Sequence, residues 1–137
     1  MLAFDRHSLN LACKGSIYLD TLDMDFPKLT ATFFKTAAGT EPVRDWLKSL
    51  HSSERKAIGD EIRTVQFGWP LGMPIVRKIE TDLWEVRVRL SDRIARVLFT
   101  VLNLEMVLLH GFIKQSARTP QTDLALARRR SFLLRSN

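Results

Sequence analysis

A chain of 137 residues, 45% hydrophobic and 26% charged, can build one domain with its own core, and this composition excludes disordered, collagen-like and disulfide-stapled classes. The lone Cys13 cannot pair within the chain, no apolar run nears the ~20 residues of a membrane span, and Met1–Arg6 lacks the basic-then-apolar order of a secretory signal, so a reducing, cytoplasmic setting without membrane is expected. The net charge of +6 is unevenly placed: residues 1–76 hold nine basic and nine acidic groups, residues 77–137 twelve and six. The second half is therefore expected to meet an anionic partner, nucleic acid or an acidic protein.

Residues 1–28 show no sustained period, carry Asp20, Asp23 and Asp25, and read as an N-terminal extension to a domain spanning 29–137. Leu29–Thr36, rich in Thr and Phe, reads as a strand, and Ala37–Thr40 as a turn. Pro42 suits a first helical position, and Val43, Trp46, Leu47 and Leu50 repeat at i, i+3, i+4, i+7. Ser52-Ser53 can cap a second helix, in which Ile58, Ile62 and Val65 continue the pattern until Gly68 and Pro70 stop it. Ile75–Ile79 reads as a short strand or an irregular edge.

Leu83–Leu90 then alternates without error: Trp84, Val86, Val88 and Leu90 on one face, Glu85, Arg87 and Arg89 on the other. Ile94–Val101 and Leu104–Ile113 follow as antiparallel strands, turning near Ser91-Asp92 and Asn103. A last helix is expected from Thr119-Pro120 to about Leu134, with Arg128, Arg129 and Arg130 near its end. Such an order makes an α+β layer, helices on one face of a mostly antiparallel sheet and the other face left for a ligand.

That free face suits RNA. Cleavage without a metal needs a base at the ribose 2′-hydroxyl, an acid at the leaving oxygen and cations around the phosphorane. Arg87, Arg89 and Arg96 supply forks that grip phosphate in pairs of hydrogen bonds, or else only a solvated surface. Glu85 is a cross-strand partner for an arginine or a general base. His110 shares its parity with the apolar set Met106, Leu108 and Phe112, so it reads as a hydrogen-bonded core residue or a proton carrier. Lys114 lies just past the strand, within reach of phosphate or simply exposed. Arg93 and Arg118, with Arg128, Arg129 and Arg130, are further candidate RNA contacts. No Cys/His spacing fits a metal and no glycine-rich loop fits a phosphate cofactor, so neither metal nor cofactor is expected.

Several of these segments resemble a known family. Gly39-Thr40-Glu41-Pro42-Val43 with Trp46-Leu47, then Leu83-Trp84-Glu85-Val86-Arg87, Arg96-Val97-Leu98-Phe99 and Leu108-Leu109-His110-Gly111-Phe112-Ile113-Lys114 with Thr119-Pro120, are similar to phage-derived HigB-like toxins of the RelE/ParE type II toxin–antitoxin superfamily. The resemblance spans about residues 30–135. It implies a RelE-like α+β fold, a mostly antiparallel sheet of about four strands with an N-terminal helical hairpin and a C-terminal helix. It also implies a toxin that cuts messenger RNA on the ribosome and is silenced by a helix-turn-helix antitoxin, with Arg87, Arg96 and Lys114 carrying cleavage. Two positions depart from the pattern: Gln115 stands where a second basic residue is common, and the only tyrosine, Tyr18, is far from the C-terminus. Proton transfer then falls to His110 or Glu85, or is shared with the ribosome. Two other readings stay open: a non-catalytic inhibitor of a protein such as DNA gyrase, and a plain nucleic-acid-binding module.

Overall fold

The computed structural model describes residues 26–115 and 117–136; the acidic stretch Asp20–Asp25, Cys13 and Tyr18 lie outside them. The elements run β1 (Thr30–Phe33), α1 (Pro42–Lys48), α2 (Ser52–Gly68), β2 (Val76–Glu80), β3 (Leu83–Arg89), β4 (Ile94–Leu102), β5 (Glu105–Ile113) and α3 (Gln121–Arg135). They form one five-stranded sheet in the order β1-β5-β4-β3-β2. Strands β2 to β5 are antiparallel neighbours, while β1 pairs in parallel with β5. That parallel pair is what the intervening helices make possible, since parallel neighbours need a crossover. The α+β expectation of a helical hairpin, a mostly antiparallel sheet and a C-terminal helix holds, and the segment after Pro74 is an edge strand whose pairing with β3 shifts register between Lys78 and Glu80.

The hairpin packs where the periodicity puts it. Val43 and Leu47 of α1 and Ile58, Ile62 and Val65 of α2 are buried against Val86, Val88, Val97, Phe99, Met106 and Leu108 of the sheet. Trp69, just past α2, meets Trp84 edge-on at 5.1 Å and Phe99 at 5.7 Å, closing the β3 side of this layer. The N-cap of α2 is His51 rather than Ser52 or Ser53. Glu54 returns a carboxylate oxygen to the His51 backbone N–H at 3.3 Å, the reciprocal half of a capping box.

The second sheet face is not left open as the alternation suggested. Leu124 and Ala127 of α3 are buried on it, over Leu83, Leu98, Val107 and Leu109. Helix α3 therefore roofs the half of this face near the β2–β3 and β4–β5 turns. The other half, where β3 and β5 end, is left to the arginines.

Candidate functional site

A single irregularity decides which side chains reach this face. The β4–β5 register runs Thr100↔Val107 and Phe99↔Leu108, then slips to Leu98↔His110, Val97↔Gly111 and Arg96↔Phe112. Leu109 is the extra residue of a bulge. Beyond it every β5 side chain changes face, because strand parity has period two. His110 and Phe112 therefore stand opposite Leu98 and Arg96, on the α3 side, and not with Met106 and Leu108 as parity predicted. Gly111 takes the hairpin side instead. A Cβ there would lie 2.3 Å from the Trp46 ring, so the close helix–sheet contact requires glycine.

Two cross-strand rows then make up the site. In the first, Arg77 of β2 faces Glu85 of β3, and Leu98 faces His110. In the second, Arg87 faces Arg96, and Arg96 faces Phe112. Arg96 is 2% exposed and Glu85 0%, with Nη1 and Oε2 3.5 Å apart. The segment after β5 covers them: Arg96 donates to the Ala117 carbonyl at 3.1 Å and to Thr119 Oγ1 at 3.3 Å, and Thr119 donates to Glu85 at 2.9 Å. Burial lowers the Arg96 pKa first of all; the Glu85 charge opposes this, and the nearby Arg87 and Arg77 charges add to it. Arg96 is thus a sealed structural cation, not an open one, and Glu85 is its cross-strand partner.

Its neighbours on the same face reach water. Arg87 is half-buried, with an Nε that has no hydrogen-bond partner among the described residues, and Arg89 is exposed. Lys114, anchored by its backbone N–H to the Ile94 carbonyl at 2.7 Å, flanks the other side of β4. Between Arg89 and Lys114 lies a shallow depression of about 680 Å³, floored by Ile94 and edged by Asp92, Arg93 and Ala117. Arg89 and Lys114 sit one strand either side of β4, so their backbones are roughly 9–10 Å apart.

Deeper under α3, His110 Nε2 meets Asp123 Oδ1 at 2.6 Å, the two side chains 17% and 23% exposed. Its ring stacks on Phe112 with centroids 5.6 Å apart and planes 20° from parallel.

The remaining arginines divide. Arg93 grips Glu54 through two nitrogens at 3.0 and 3.1 Å, tying the β3–β4 turn to α2. Arg128 holds Glu80 in a fork, with Nη2–Oε1 at 2.7 Å. Arg130 donates to the Leu109 carbonyl at 2.8 Å and lies over the Phe34 ring, so it supports the bulge. These three, expected as RNA contacts, are engaged within the fold. Arg118 and Arg129 are exposed. Sequence reading missed Arg77, whose strand follows closely on Pro70 and Pro74 and looked irregular, and Asp123, whose only signal was its place in the first turn of a helix. Among the described residues no three His, Cys, Asp or Glu groups converge to hold a metal ion.

Residues 45–131 match the family described as "Phage derived protein Gp49-like (DUF891)". The chain belongs to this family. The Gp49-like family is a RelE/HigB-like, toxin-type family, and the match covers every element from mid-α1 to most of α3. No curated protein matches the chain. Membership agrees with the toxin component of a toxin–antitoxin module and implies an antitoxin partner for this Gp49-like protein. No helix among its described residues is long and apolar enough to cross a membrane.

Proposed function

We propose that this Gp49-like toxin is a metal-independent endoribonuclease that cuts messenger RNA on the translating ribosome. The observation that carries the reading is the group of cations at the open end of the sheet: Arg89 and Lys114 line one depression, and Arg87, in the next cross-strand row, also reaches solvent. Arginine forks suit a phosphorane, whose charge grows as the 2′-hydroxyl attacks. Phosphate affinity built on such groups falls steeply with salt.

Its partner is a helix-turn-helix antitoxin that covers this cluster or braces α3. Phe132, 68% exposed beside a groove between the β2–β3 turn and the last turn of α3, offers an amphipathic antitoxin segment an apolar anchor.

The test is a translation extract supplied with purified protein, followed by primer extension on the messenger. New 5′ ends within the coding region are expected, absent with Arg87→Ala. Growth arrest without cleaved messenger would move the protein to the class of toxins that block a protein target. Salt-sensitive RNA binding with neither cleavage nor arrest would leave a plain binding module.

A further inference from the structure

We infer that His110 and Asp123 form the proton-transfer pair of the cleavage site, with His110 Nδ1 as the general base for the 2′-hydroxyl and Asp123 as its positioning residue. The assignment rests on the ribonuclease reading above and names the group that performs its chemistry.

Three observations carry it. The bulge at Leu109 turns His110 out of the apolar hairpin layer and onto the face of the arginines, one row from the Arg87–Arg96 pair. Asp123 Oδ1 lies 2.6 Å from Nε2, and an ionised carboxylate can only accept, so Nε2 carries the hydrogen and the neutral ring keeps its lone pair on Nδ1. The stack on Phe112 fixes the ring plane, so that nitrogen has a defined direction. The Glu85 carboxylate, in the same row, is sealed by Arg96 and Thr119 and is not available as a base.

In the step, Nδ1 takes the 2′-hydroxyl proton as the O2′–P bond forms and the P–O5′ bond breaks. The leaving 5′-oxygen takes a proton from water, and the imidazolium returns its proton to the hydroxide left behind. The products are a 2′,3′-cyclic phosphate and a 5′-hydroxyl end.

The bland alternative is a tether that holds the first turn of α3 on β5. An asparagine at 123 keeps an acceptor for that tether but removes the charge that fixes the imidazole and stabilises its cation. The experiment uses the full chain in the translation extract, with wild type, Arg87→Ala, His110→Ala, His110→Gln and Asp123→Asn, each checked for its urea midpoint. His110→Ala is expected to lower kcat about 10²–10⁴-fold with KM little changed, and added imidazole to restore part of the rate. Asp123→Asn is expected to lower kcat about 10-fold or more while its midpoint stays near wild type. Should His110→Ala not fold, His110→Gln and Asp123→Asn carry the same comparison. Wild-type kcat in a folded His110 variant overturns the pair, as does a folded His110→Ala that imidazole leaves unrescued. If Arg87→Ala also cuts normally, the cleavage site as a whole falls, and if wild type makes no cut, both readings fall together.

Discussion

Arg96 and Glu85 form an ion pair across β4 and β3 that water does not reach, and Thr119 bridges both partners. Such a pair is costly to break from one side, because the remaining charge stays buried without compensation. Arg96→Ala is therefore expected to destabilise the protein by about 3–5 kcal/mol. The burial predicts lost toxicity through lost folding. Replacing both residues with apolar ones, Arg96→Met with Glu85→Leu, should recover most of the loss. Urea midpoints of the two singles and the double close the cycle, and simple additivity between them would count against the pair.

Arg87 stands opposite Arg96 in register but reaches solvent. Its removal relieves like-charge crowding and breaks no ion pair among the described residues, so stability should move by less than about 0.5 kcal/mol. Cleavage should fall about 10²–10³-fold, the scale of losing one group that stabilises transition-state charge. Arg87→Lys should recover only part, since a point charge lacks the planar fork. Messenger cleavage measured beside the urea midpoint checks both halves at once.

The two arginines show where the sequence was legible and where it was not. Alternation in Leu83–Leu90 correctly divided Trp84, Val86 and Val88 from Glu85, Arg87 and Arg89, because strand parity needs only neighbouring residues. The hairpin was equally plain, since each of its two helices has its own period. Arg96 was placed on the right face, but its roof comes from Ala117 and Thr119, more than twenty positions along the chain, and no local pattern announces that. His110 was placed on the wrong face because one extra residue at Leu109 inverts parity, and a bulge has no period to read. The nearby Gly111 was the available hint: a glycine in a strand marks a bulge or a close approach, and here it sits beside the first and makes the second.

The contact at Gly111 yields a third prediction. A methyl group there would lie 2.3 Å from Trp46 Cε3 and Cζ3, an overlap that the ring must move to relieve. Gly111→Ala should cost about 1–3 kcal/mol, the usual penalty for overfilling a packed site. Because Trp46 joins α1 to β5, its fluorescence should shift in the folded mutant. A Gly111→Ala protein with an unchanged midpoint and spectrum would mean that α1 does not press on the sheet here.

The last prediction concerns arginines that the fold consumes. Arg93 holds Glu54 at the start of α2, and Arg128 holds Glu80 at the edge strand. In both cases the side-chain hydrogen bond from arginine lowers the glutamate pKa below its ordinary 4.5, with burial opposing. A carboxyl group whose pKa is lower folded than unfolded binds fewer protons in the native state near that value. Its contribution is therefore present above the unfolded pKa and is lost as pH falls through the folded one. Stability should decline as pH drops below about 4.5, and Glu54→Gln and Glu80→Gln should each flatten that decline. The same links predict a separation in function. Arg93→Ala should flatten the acid dependence as Glu54→Gln does, yet leave messenger cleavage near wild type, whereas Arg89→Ala should weaken cleavage and leave the acid limb unchanged. Denaturation midpoints between pH 3 and pH 6, on the order of the range over which carboxylates titrate, measure the first effect, and primer extension measures the second. Cleavage that depends on Arg93 as strongly as on Arg89 would return Arg93 to the RNA surface and require its grip on Glu54 to open.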